Sequence, residues 1–412
     1  MRDVDYHNKT VLLRLDINSP IDPQTKKIVN ENRLSKSVPT LNYLLEQGAK
    51  VAVIAHQGDT LDYQNLIALE EHAAILSRLT GRTINYIDDV CGPAALAAVR
   101  ELKPGEAIIL GNLRYLTEEV SHFETVVHLT PEEMTKCRLV RRLAPLFDAY
   151  VNDAFAAAHR AAPSMVAFQH VLPTAAGDLL FKEYKTLTGV LENPAKPSVF
   201  VLGGAKISDA FGMMEQVLAN GTADRILTTG VTGAVFLLAA GKRLGKQYEE
   251  WLANKDFLHF VDDAKRYIDE YGDRLEFPVD LAYAENGMRK EIAVDKLPKD
   301  DASFLDIGTE TQAKYREIIL DAKTIFANGP AGVYEEDLFI DGTKACWQAI
   351  ADSAAFSVIG GGDTVSSAAQ FIDLKHISYV CTAGGAMVRF MTGKTLPLIE
   401  AMEFAYSKEE KS

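Results

Sequence analysis

The residues best suited to chemistry are glycine-rich turns that each follow a short apolar run and precede a helix-like stretch. Five such turns occur in the carboxyl half, after the runs SVFVL, RILTT, TIFA, FSVI and ISYVC, and they begin at Gly203, Gly230, Asn328, Gly360 and Thr382. Glycine lets a backbone approach an anion closely, and the helix that follows directs free N–H groups and a positive dipole end toward it. One such turn is usually structural, but five in one half predict that a nucleotide polyphosphate lies across the strand ends.

The amino half has the same rhythm of strand and helix, but polar and cationic side chains follow its strands. The runs TVLLRL, KVAVIA, AIIL and AYV lead into Asp16 and Asn18, His56 and Gly58, Arg114, and His159 with Arg160. In open α/β sheets, ligands bind at the carboxyl edge of the strands. The two halves therefore predict two sites for two different anions, one held by main-chain amides and one by arginine and histidine.

Composition places the chain among globular proteins that act on small molecules. Its 412 residues exceed one ordinary core and predict two domains. Hydrophobic residues make up 47% of the chain and charged residues 24%, as in soluble globular proteins. The net charge of −14 argues against a nucleic-acid partner, and no apolar run is long enough to span a bilayer.

The amino terminus and the cysteines predict a cytoplasmic protein. The first five residues, MRDVD, do not form a signal peptide. The cysteines are scattered and form no C-x-x-C pair, which favours reduced thiols and argues against a metal cage; they are Cys91, Cys137, Cys346 and Cys381. The sequence leaves the oligomeric state open between a monomer and a dimer.

Alternation of strands and helices predicts an α/β fold of two doubly wound, Rossmann-like parallel-sheet lobes joined by a hinge helix. We expect an acid-substrate lobe over residues 1–170, an interdomain helix and linker over 171–197, and a nucleotide-binding lobe over 198–392. The remainder, 393–412, is a tail expected to fold back, with the first lobe as a candidate. Helical patterns cover Ser37–Gln47 and Leu66–Leu79, and Ala175–Leu191 predicts one long amphipathic helix before the linker NPAKP.

Three motifs are similar to those of other enzyme classes, but the surrounding sequence lacks the residues that each class requires. The segment Gly393–Thr395 resembles the end of a P-loop, but Val388 occupies the place of the first glycine. Residues 228–233 approach a dinucleotide fingerprint without its first glycine. No nucleophile accompanies Asp153 and His159. Phosphoryl transfer between two ionised oxygens needs no nucleophile–base pair, because positioning and charge neutralisation suffice.

A series of short motifs gives the chain a family resemblance. The motifs LLRLDINSPI, ENR with Arg33, AHQG, NLRY, VNDAFAAAHR, LGGAKISD, LDIG, ANGPAGVY, IGGGDT and CTAGGA stand in the order found in phosphoglycerate kinases, from Val11 to about Gly393. The chain resembles this family, and DINSPI and AHQG resemble its archaeal-type branch. The resemblance implies a two-lobed, hinge-bending kinase of glycolysis. Such an enzyme interconverts 1,3-bisphosphoglycerate plus ADP with 3-phosphoglycerate plus ATP, using Mg²⁺.

The resemblance also implies roles for the residues of the amino half. Asp16 and Asn18 would hold the glycerate hydroxyl or carboxylate end. Arg33 would clamp the carboxyl or acyl-phosphate end and neutralise the phosphoryl group in flight, as an arginine finger supplied in cis does. The distal phosphate would be gripped by a cationic set, namely His56, Arg114 and Arg160, with His159 beside them and Gly58 in the same site.

In the carboxyl half, the resemblance implies that Lys206 contacts the migrating phosphoryl group and that the Gly384–Gly385 turn faces it. Asp363 would ligate Mg²⁺, and Thr364 would cradle phosphates together with glycine amides. The other nucleotide-binding candidates are Gly203, Gly204, Gly230, Asn328, Pro330, Gly332, Val333, Gly361, Gly362 and, on the ribose hydroxyls, Glu335.

Each candidate also has a structural alternative. Asp16 and Asp363 could be helix N-caps, and His56 could be an interior histidine with satisfied hydrogen bonds. The cationic candidates could serve as ion-pair partners or solvated charges, namely Arg33 in a polar loop, Arg114, Arg160 and Lys206. For the whole chain, the alternatives are a related kinase acting on another small carboxylate and a catalytically inactive nucleotide-binding protein.

Three positions depart from the family pattern. After the histidine the family usually has Leu-Gly-Arg-Pro, but here the aspartate Asp59 takes the place of the arginine, and we expect it to repel an anion. Ala210 replaces a second lysine, so the nucleotide would depend more on amides and Mg²⁺. Ala383 replaces the first of three glycines, which requires a backbone without strongly positive φ.

Overall fold

A computed structural model describes residues 1–59, 61 and 63–409 of the chain. The chain divides into two compact units. The first unit contains Met1–Lys185 together with the segment that begins at Thr395, and the second contains Thr186–Lys394. In the described part of the chain, no helix combines the length and the apolar character that a bilayer span requires.

The first unit is built on one sheet of six parallel strands. These strands are β1 (Thr10–Arg14), β2 (Lys50–Ile54), β3 (Ile84–Tyr86), β4 (Ala107–Ile109), β5 (Ala149–Asn152) and β6 (Thr174–Ala176). Their order across the sheet is β3-β4-β2-β1-β5-β6. Because β1 pairs with both β2 and β5, Arg14 lies in one row with Ile54 and Asn152, and the loops after these strands share one edge.

The helices of this part of the chain are α1 (Asn32–Glu46), α2 (Glu70–Thr80), α3 (Pro93–Glu101), α4 (Ser121–Val126), α5 (Pro131–Met134), α6 (Arg138–Leu143) and α7 (Pro163–Val166). The next helix, α8 (Asp178–Glu192), begins in the first unit and continues past its boundary at Lys185. The prediction that Arg33 lies in a polar loop is wrong, because α1 begins at Asn32 and includes Arg33 in its first turn. The helix predicted over Ala175–Leu191 is wrong at its start, since Ala175 pairs with Val151 in β6 and α8 begins only at Asp178.

The strands of the second unit are β7 (Ser198–Leu202), β8 (Arg225–Thr228), β9 (Leu275–Glu276), β10 (Asp280–Glu285), β11 (Met288–Ala293), β12 (Phe304–Ile307), β13 (Thr324–Asn328), β14 (Phe356–Ile359) and β15 (Tyr379–Val380). Six of them form a parallel sheet in the order β15-β14-β13-β7-β8-β9. Every residue of β7 is buried, as expected for a central parallel strand covered on both faces. The predicted pair of parallel sheets is confirmed.

The second unit also contains a three-stranded antiparallel sheet, β11-β10-β12, which the sequence analysis did not predict. Its hairpin turns at Asn286 and Gly287, whose φ angles are 53° and 73°. Positive φ at both positions is typical of a two-residue type I′ turn, and Asn-Gly is the sequence that favours this turn. The signal for this hairpin was therefore present in the sequence.

The remaining helices are α9 (Ile207–Ala219), α10 (Gly230–Ala239), α11 (Lys246–Asn254), α12 (Phe260–Tyr271), α13 (Thr309–Asp321), α14 (Asp341–Asp352), α15 (Gly362–Phe371), α16 (Gly385–Met391) and α17 (Pro397–Glu409). Helix α17 packs in the first unit, where the Leu398 amide donates to the Ala158 carbonyl and the Phe404 ring stacks on His170 at 4.2 Å. The tail therefore belongs to the first unit.

Each unit has an apolar core between its parallel sheet and flanking helices. In the first unit, Val11, Leu13 and Val53 of the sheet pack with Leu41 and Leu44 of α1. In the second unit the corresponding core includes Val199, Ile325, Tyr315, Trp347 and Ile350. These cores fix the strands, so the loops that follow the strands are held at the carboxyl edge of each sheet.

Candidate active site

A cavity of about 460 Å³ lies at the carboxyl edge of the parallel sheet in the second unit. Four helices begin at its wall, namely α9, α10, α15 and α16. The structure brings all the nucleotide-side candidates together in this cavity: Gly203, Gly204, Lys206, Gly230, Asn328, Pro330, Gly332, Val333, Glu335, Gly361, Gly362, Asp363, Thr364, Gly384 and Gly385. A volume of this size suits a small-molecule ligand.

The loops of this cavity touch one another through their backbones. The Gly203 amide donates to the Asn328 carbonyl at 2.9 Å, and the Gly204 amide donates to the Pro330 carbonyl at 2.8 Å. A Cβ added at Gly203 would lie 2.1 Å from the Thr229 hydroxyl oxygen, and one at Gly329, where φ is +88°, would lie 2.2 Å from the Gly203 carbonyl oxygen. Glycine is therefore required here to let the loops meet.

Two other glycines adjoin open space instead. A Cβ at Gly362 would have no heavy atom within 4 Å, and one at Gly384 would meet only the Gly361 Cα, at 3.8 Å. Gly361 and Gly384 are the N-caps of α15 and α16, so no side-chain cap satisfies the first-turn amides of these helices. These amides can therefore donate to an anion in the cavity.

The charged candidates of the cavity are largely exposed. The Lys206 ammonium lies 3.6 Å from the Asp363 carboxylate, and the two side chains are 74% and 72% exposed. Asp363 is the second residue of α15, whose N-cap is Gly361, so the N-cap alternative for Asp363 is wrong. The Thr364 hydroxyl accepts the Gly329 amide at 2.8 Å and keeps its own hydrogen for a ligand.

One end of the cavity is apolar, and the sequence analysis missed it. Its lining includes Tyr248 and Trp251 of α11, Leu281 of β10 and Phe304 of β12. Tyr248 is buried and packs edge-on against Phe304, with ring centroids 5.5 Å apart. These residues come from α11 and the antiparallel sheet, two elements that the sequence analysis did not predict. They provide a surface for a flat apolar group.

The first unit places Asp16 and Arg33 together at the carboxyl edge of β1. The Arg33 guanidinium donates to the Asp16 carboxylate at 2.9 Å, and the Asn18 amide donates to the same carboxylate at 3.1 Å. Burial acts to raise the pKa of Asp16, but the charges of Arg33 and Arg14 outweigh it and hold this pKa at about 2. Asp16 is therefore ionised at neutral pH, in an ion pair rather than in a helix N-cap.

The loop after β2 is fastened to the loops after β1 and β4. The Gly58 amide donates to the Asn18 side-chain oxygen at 3.1 Å. The buried Gln57 side chain accepts the Ser19 amide at 2.8 Å and donates to the Ser19 carbonyl at 3.0 Å. The Asn112 side chain donates to the Gln57 carbonyl at 2.7 Å. The substrate-side loops are thus held in one arrangement by buried hydrogen bonds.

Arg14 also belongs to this site, and it was not among the residues predicted from the sequence. It is buried at the end of β1, donates to the Leu15 carbonyl, and lies 3.1 Å from Nδ1 of His56. A guanidinium only donates, so Nδ1 of His56 accepts and the ring hydrogen sits on Nε2. Burial, together with the charges of Arg14, Arg114 and Arg33, lowers the pKa of His56 to about 3 against the opposing effect of Asp16. His56 is therefore a neutral donor, not a cation.

The two arginines predicted to grip a phosphate each pair with a carboxylate. Arg114 contacts Asp59 at 2.7 Å, and Arg160 contacts Glu124 at 2.7 Å. Burial lowers the pKa of Arg114, and the nearby charges of Arg14 and Arg160 act in the same direction. The ion-pair alternative thus describes both residues in this structure. Arg114 and Arg160 lie close enough to act on one another electrostatically, as members of one cationic cluster.

The remaining substrate-side candidate, His159, is half-buried beside Arg160 in the loop after β5, and we assign it no role from the structure. Asp153, from the same loop, is buried and accepts the Leu180 amide at 2.9 Å. Its carboxylate therefore holds the first turn of α8.

A buried carboxyl group lies near the cationic cluster. Glu119 accepts the amide and the hydroxyl of Ser164, at 2.7 Å and 2.6 Å, and the Ser164 hydroxyl in turn lies 3.4 Å from Nε of Arg14. Burial raises the pKa of Glu119 to about 7, against the opposing hydrogen bonds of Ser164 and the charge of Arg14. Near neutral pH, Glu119 therefore titrates close to the substrate-side residues.

The departures at Ala210 and Ala383 fit the fold. Ala210 is buried on α9. The non-glycine residues with positive φ in the described part of the chain are Asn8, Lys26, Asp256 and Asn286, so Ala383 has the ordinary backbone that its Cβ requires. The described residues include no cluster of three or more histidine, cysteine or carboxylate side chains placed for a metal ion.

The fold defines a class of two-unit α/β proteins, in which one unit has a cavity lined by first-turn amides and the other has a cluster of arginine side chains at its strand ends. The model of the family described as phosphoglycerate kinase matches residues 1–394. Two proteins named phosphoglycerate kinase are similar along the whole chain. That of Methanothermus fervidus is 41% identical over 100% of this chain and 98% of its own, and that of Pyrococcus furiosus is 43% identical over 99% and 98%.

Two solved structures of phosphoglycerate kinases are also similar to this chain. Phosphoglycerate kinase from Pyrococcus horikoshii OT3 superposes with a TM-score of 0.87 and 40% identity, covering 99% of both chains. The enzyme from Coxiella burnetii gives a TM-score of 0.81 and 32% identity, covering 98% of both chains. The present chain belongs to the phosphoglycerate kinase family.

Proposed function

We propose that the chain catalyses reversible phosphoryl transfer between 1,3-bisphosphoglycerate and ADP, giving 3-phosphoglycerate and ATP. One observation carries the proposal. Every nucleotide-side residue predicted from the sequence lines one cavity in the second unit, whereas the substrate-side cluster lies at the strand ends of the first unit. Nucleotide and acid therefore have separate sites of different chemistry, as a transfer between them requires.

On the nucleotide side, the phosphates are placed along the first-turn amides of α15 and α16, with Lys206 beside the phosphoryl group that moves. The base occupies the apolar end at Tyr248 and Phe304, and Glu335 serves the ribose. Asp363 is a single exposed carboxylate, which fits a Mg²⁺ ion shared with nucleotide phosphates better than a metal cage made of protein alone. The ion supplies charge neutralisation at the phosphates.

On the acid side, the ionised Asp16 and the Asn18 side chain bind the glycerate hydroxyl or carboxylate end. Arg33, from the first turn of α1, neutralises charge on the transferred group. His56 donates from Nε2, and the guanidinium groups of Arg114 and Arg160 receive the distal phosphate. Buried hydrogen bonds between the loops hold these donors in place before the substrate arrives.

In the direction of ATP use, a carboxylate oxygen of 3-phosphoglycerate forms a bond to the γ-phosphorus while the bond from that phosphorus to the β-phosphate oxygen breaks. The attacking carboxylate is already ionised, and the β-phosphate oxygen leaves with the electron pair of the broken bond as part of ADP, so no proton has to be removed. Catalysis then depends on alignment and charge neutralisation. The two bound ligands must meet, and we expect the chain to become more compact in solution when both are present.

A coupled assay with 3-phosphoglycerate, ATP and Mg²⁺ tests the proposal, and we expect turnover that depends on all three components. The same assay with a panel of other small carboxylates measures selectivity. Binding of ATP without turnover on 3-phosphoglycerate would refute the proposed reaction, as would faster turnover on another carboxylate.

A further inference from the structure

Both arginines assigned to the distal phosphate already hold an anion that belongs to the chain itself. Arg114 is only 8% exposed and its guanidinium lies 2.7 Å from the carboxylate of Asp59, which is 18% exposed. Arg160 lies 2.7 Å from the carboxylate of Glu124. An arginine cannot lose its charge in a protein, and a buried charge is costly unless it is paired. The carboxylates satisfy this requirement while no substrate is bound.

The two carboxylates are anchored differently. The second oxygen of Glu124 accepts the Ala161 amide at 2.7 Å, so Glu124 also holds the loop that follows β5. The Asp59 oxygen that contacts Arg114 has the Ser121 amide at 3.4 Å, at the outer limit of a hydrogen bond. Glu124 therefore holds backbone as well as pairing with Arg160.

The position of Asp59 is unusual for this site. It follows the loop of His56 and Gly58, where the resemblance to other phosphoglycerate kinases leads one to expect an arginine that would add to the grip on the phosphate. From the sequence alone, this aspartate is expected simply to repel an anion. In the structure it does something more specific, because its charge is directed at the guanidinium group that the phosphate needs.

We propose that Asp59 is an internal competitor of the substrate phosphate, neutralising Arg114 until the distal phosphate of the acid takes its place. The inference rests on the proposed function, since it assigns Arg114 to that phosphate. The competition sets the affinity for the phosphate end of the acid. A phosphate dianion carries more charge than a carboxylate and offers a bidentate match to the guanidinium, so it displaces Asp59. A small acid with no phosphate gains nothing there and leaves the Asp59–Arg114 pair intact.

The test compares three variants with the wild type. Asp59→Asn keeps the shape of the side chain and removes its charge, and Asp59→Ser removes the carboxylate group altogether. Glu101→Gln is the matched control, because Glu101 is exposed at the end of α3 and its substitution changes the net charge by the same amount. Calorimetry measures the affinity of each protein for 3-phosphoglycerate and for inorganic phosphate, and a coupled assay measures kcat and KM.

We expect Asp59→Asn and Asp59→Ser to bind both ligands more tightly, by roughly five- to tenfold for a partly exposed ion pair. The control is expected to bind both as the wild type does. The gain should disappear when Arg114→Gln is added to Asp59→Asn, because the competition acts through that guanidinium. Selectivity for 3-phosphoglycerate over unphosphorylated glycerate in the coupled assay should rise in both Asp59 variants, because only the phosphorylated acid engages Arg114.

Unchanged or weaker binding of inorganic phosphate by both Asp59 variants would overturn the inference and make Asp59 a residue that positions Arg114. An equal gain in Glu101→Gln would also overturn it, since the effect would then be one of net charge. The proposed function is judged separately. If the wild type fails to turn over 3-phosphoglycerate while the Asp59 variants still gain affinity for inorganic phosphate, the reaction is wrong and the competition stands.

Discussion

The two units prepare for anions in opposite ways. In the first unit the donors are side chains, partly or fully buried. Their charges hold the pKa of Asp16 at about 2, and burial together with these charges lowers the pKa of His56 to about 3. In the second unit the donors are first-turn amides at glycine N-caps, and the charged Lys206 and Asp363 are mostly exposed. Anion binding by side chains can be altered by one substitution or by a change of pH. Anion binding by backbone amides is altered only when atoms are added near the amides or when a loop moves.

The largest effect is expected from Arg33, which we propose neutralises the transferred phosphoryl group. Arg33→Ala should lower kcat by roughly a thousandfold, because an arginine that neutralises a phosphoryl group in flight contributes that much or more. It also leaves Asp16 with one cation fewer, so the melting temperature should fall. Arg33→Lys keeps the charge without the planar fork and should recover only part of kcat. A loss of less than tenfold in Arg33→Ala would remove Arg33 from the reaction.

The next effect concerns pH and Glu119. Its pKa is raised to about 7, so the stability it contributes is complete below the ordinary value of 4.5 and is lost as pH rises through 7. From pH 5 to pH 7 the wild type should therefore lose about 2 kcal/mol of unfolding free energy relative to Glu119→Gln, whose side chain stays neutral. Denaturant unfolding across this range measures the difference. Parallel pH curves for the two proteins would contradict the assignment of a buried, titrating carboxyl group.

A smaller effect is expected where the amides bind the nucleotide. Gly362 has room for a Cβ, so Gly362→Ala should fold with an unchanged melting temperature. It should nevertheless raise KM for ATP by roughly tenfold, since a methyl group obstructs the approach of a phosphate to the first-turn amides. The matched control is Gly189→Ala in α8, which also has no heavy atom within 4 Å of the added Cβ. An unchanged KM in Gly362→Ala would mean that the phosphates do not approach these amides.

The smallest effect is an absence of titration. Because the pKa of His56 is about 3, its imidazole should show no protonation step between pH 5 and pH 8 in nitrogen NMR, and its hydrogen should remain on Nε2. Arg14→Met removes the nearest positive charge and the donor to Nδ1, so the midpoint should rise toward the ordinary range. A wild-type midpoint near 6.5 would show that the side chains of this site are more solvated than their burial indicates.

Much of the fold could be predicted from local patterns. The apolar runs located most strands of the two parallel sheets, since a buried parallel strand is recognisable on its own. Elements that depend on distant partners could not be located in this way. Strand β6 is made by its pairing with β5, and α1 begins at Asn32, before the predicted start at Ser37. The antiparallel sheet was missed although Asn286-Gly287 signals its hairpin.

The residues of the candidate site likewise differ in how far local sequence predicts them. The glycine-rich turns are local signals, and the nucleotide-side candidates that the resemblance implied line the cavity. Side-chain sites depend on which distant groups meet, and there the sequence was less informative. Arg14 could have been noticed as a charge inside an apolar strand run, but its contact with His56 was not readable. The pairing of Asp59 with Arg114 likewise needed coordinates. The local sequence cannot distinguish an aspartate that repels a ligand from one that pairs with the arginine on which the ligand would bind.

The most direct test of the account is a crystal structure with 3-phosphoglycerate and a non-hydrolysable ATP analogue bound together. We expect the acid at Asp16, Arg33 and Arg114 of the first unit, and the nucleotide phosphates at the starts of α15 and α16 in the second. A complex with both ligands in one unit, or with the nucleotide phosphates held by the arginines, would contradict the division between side-chain and backbone recognition.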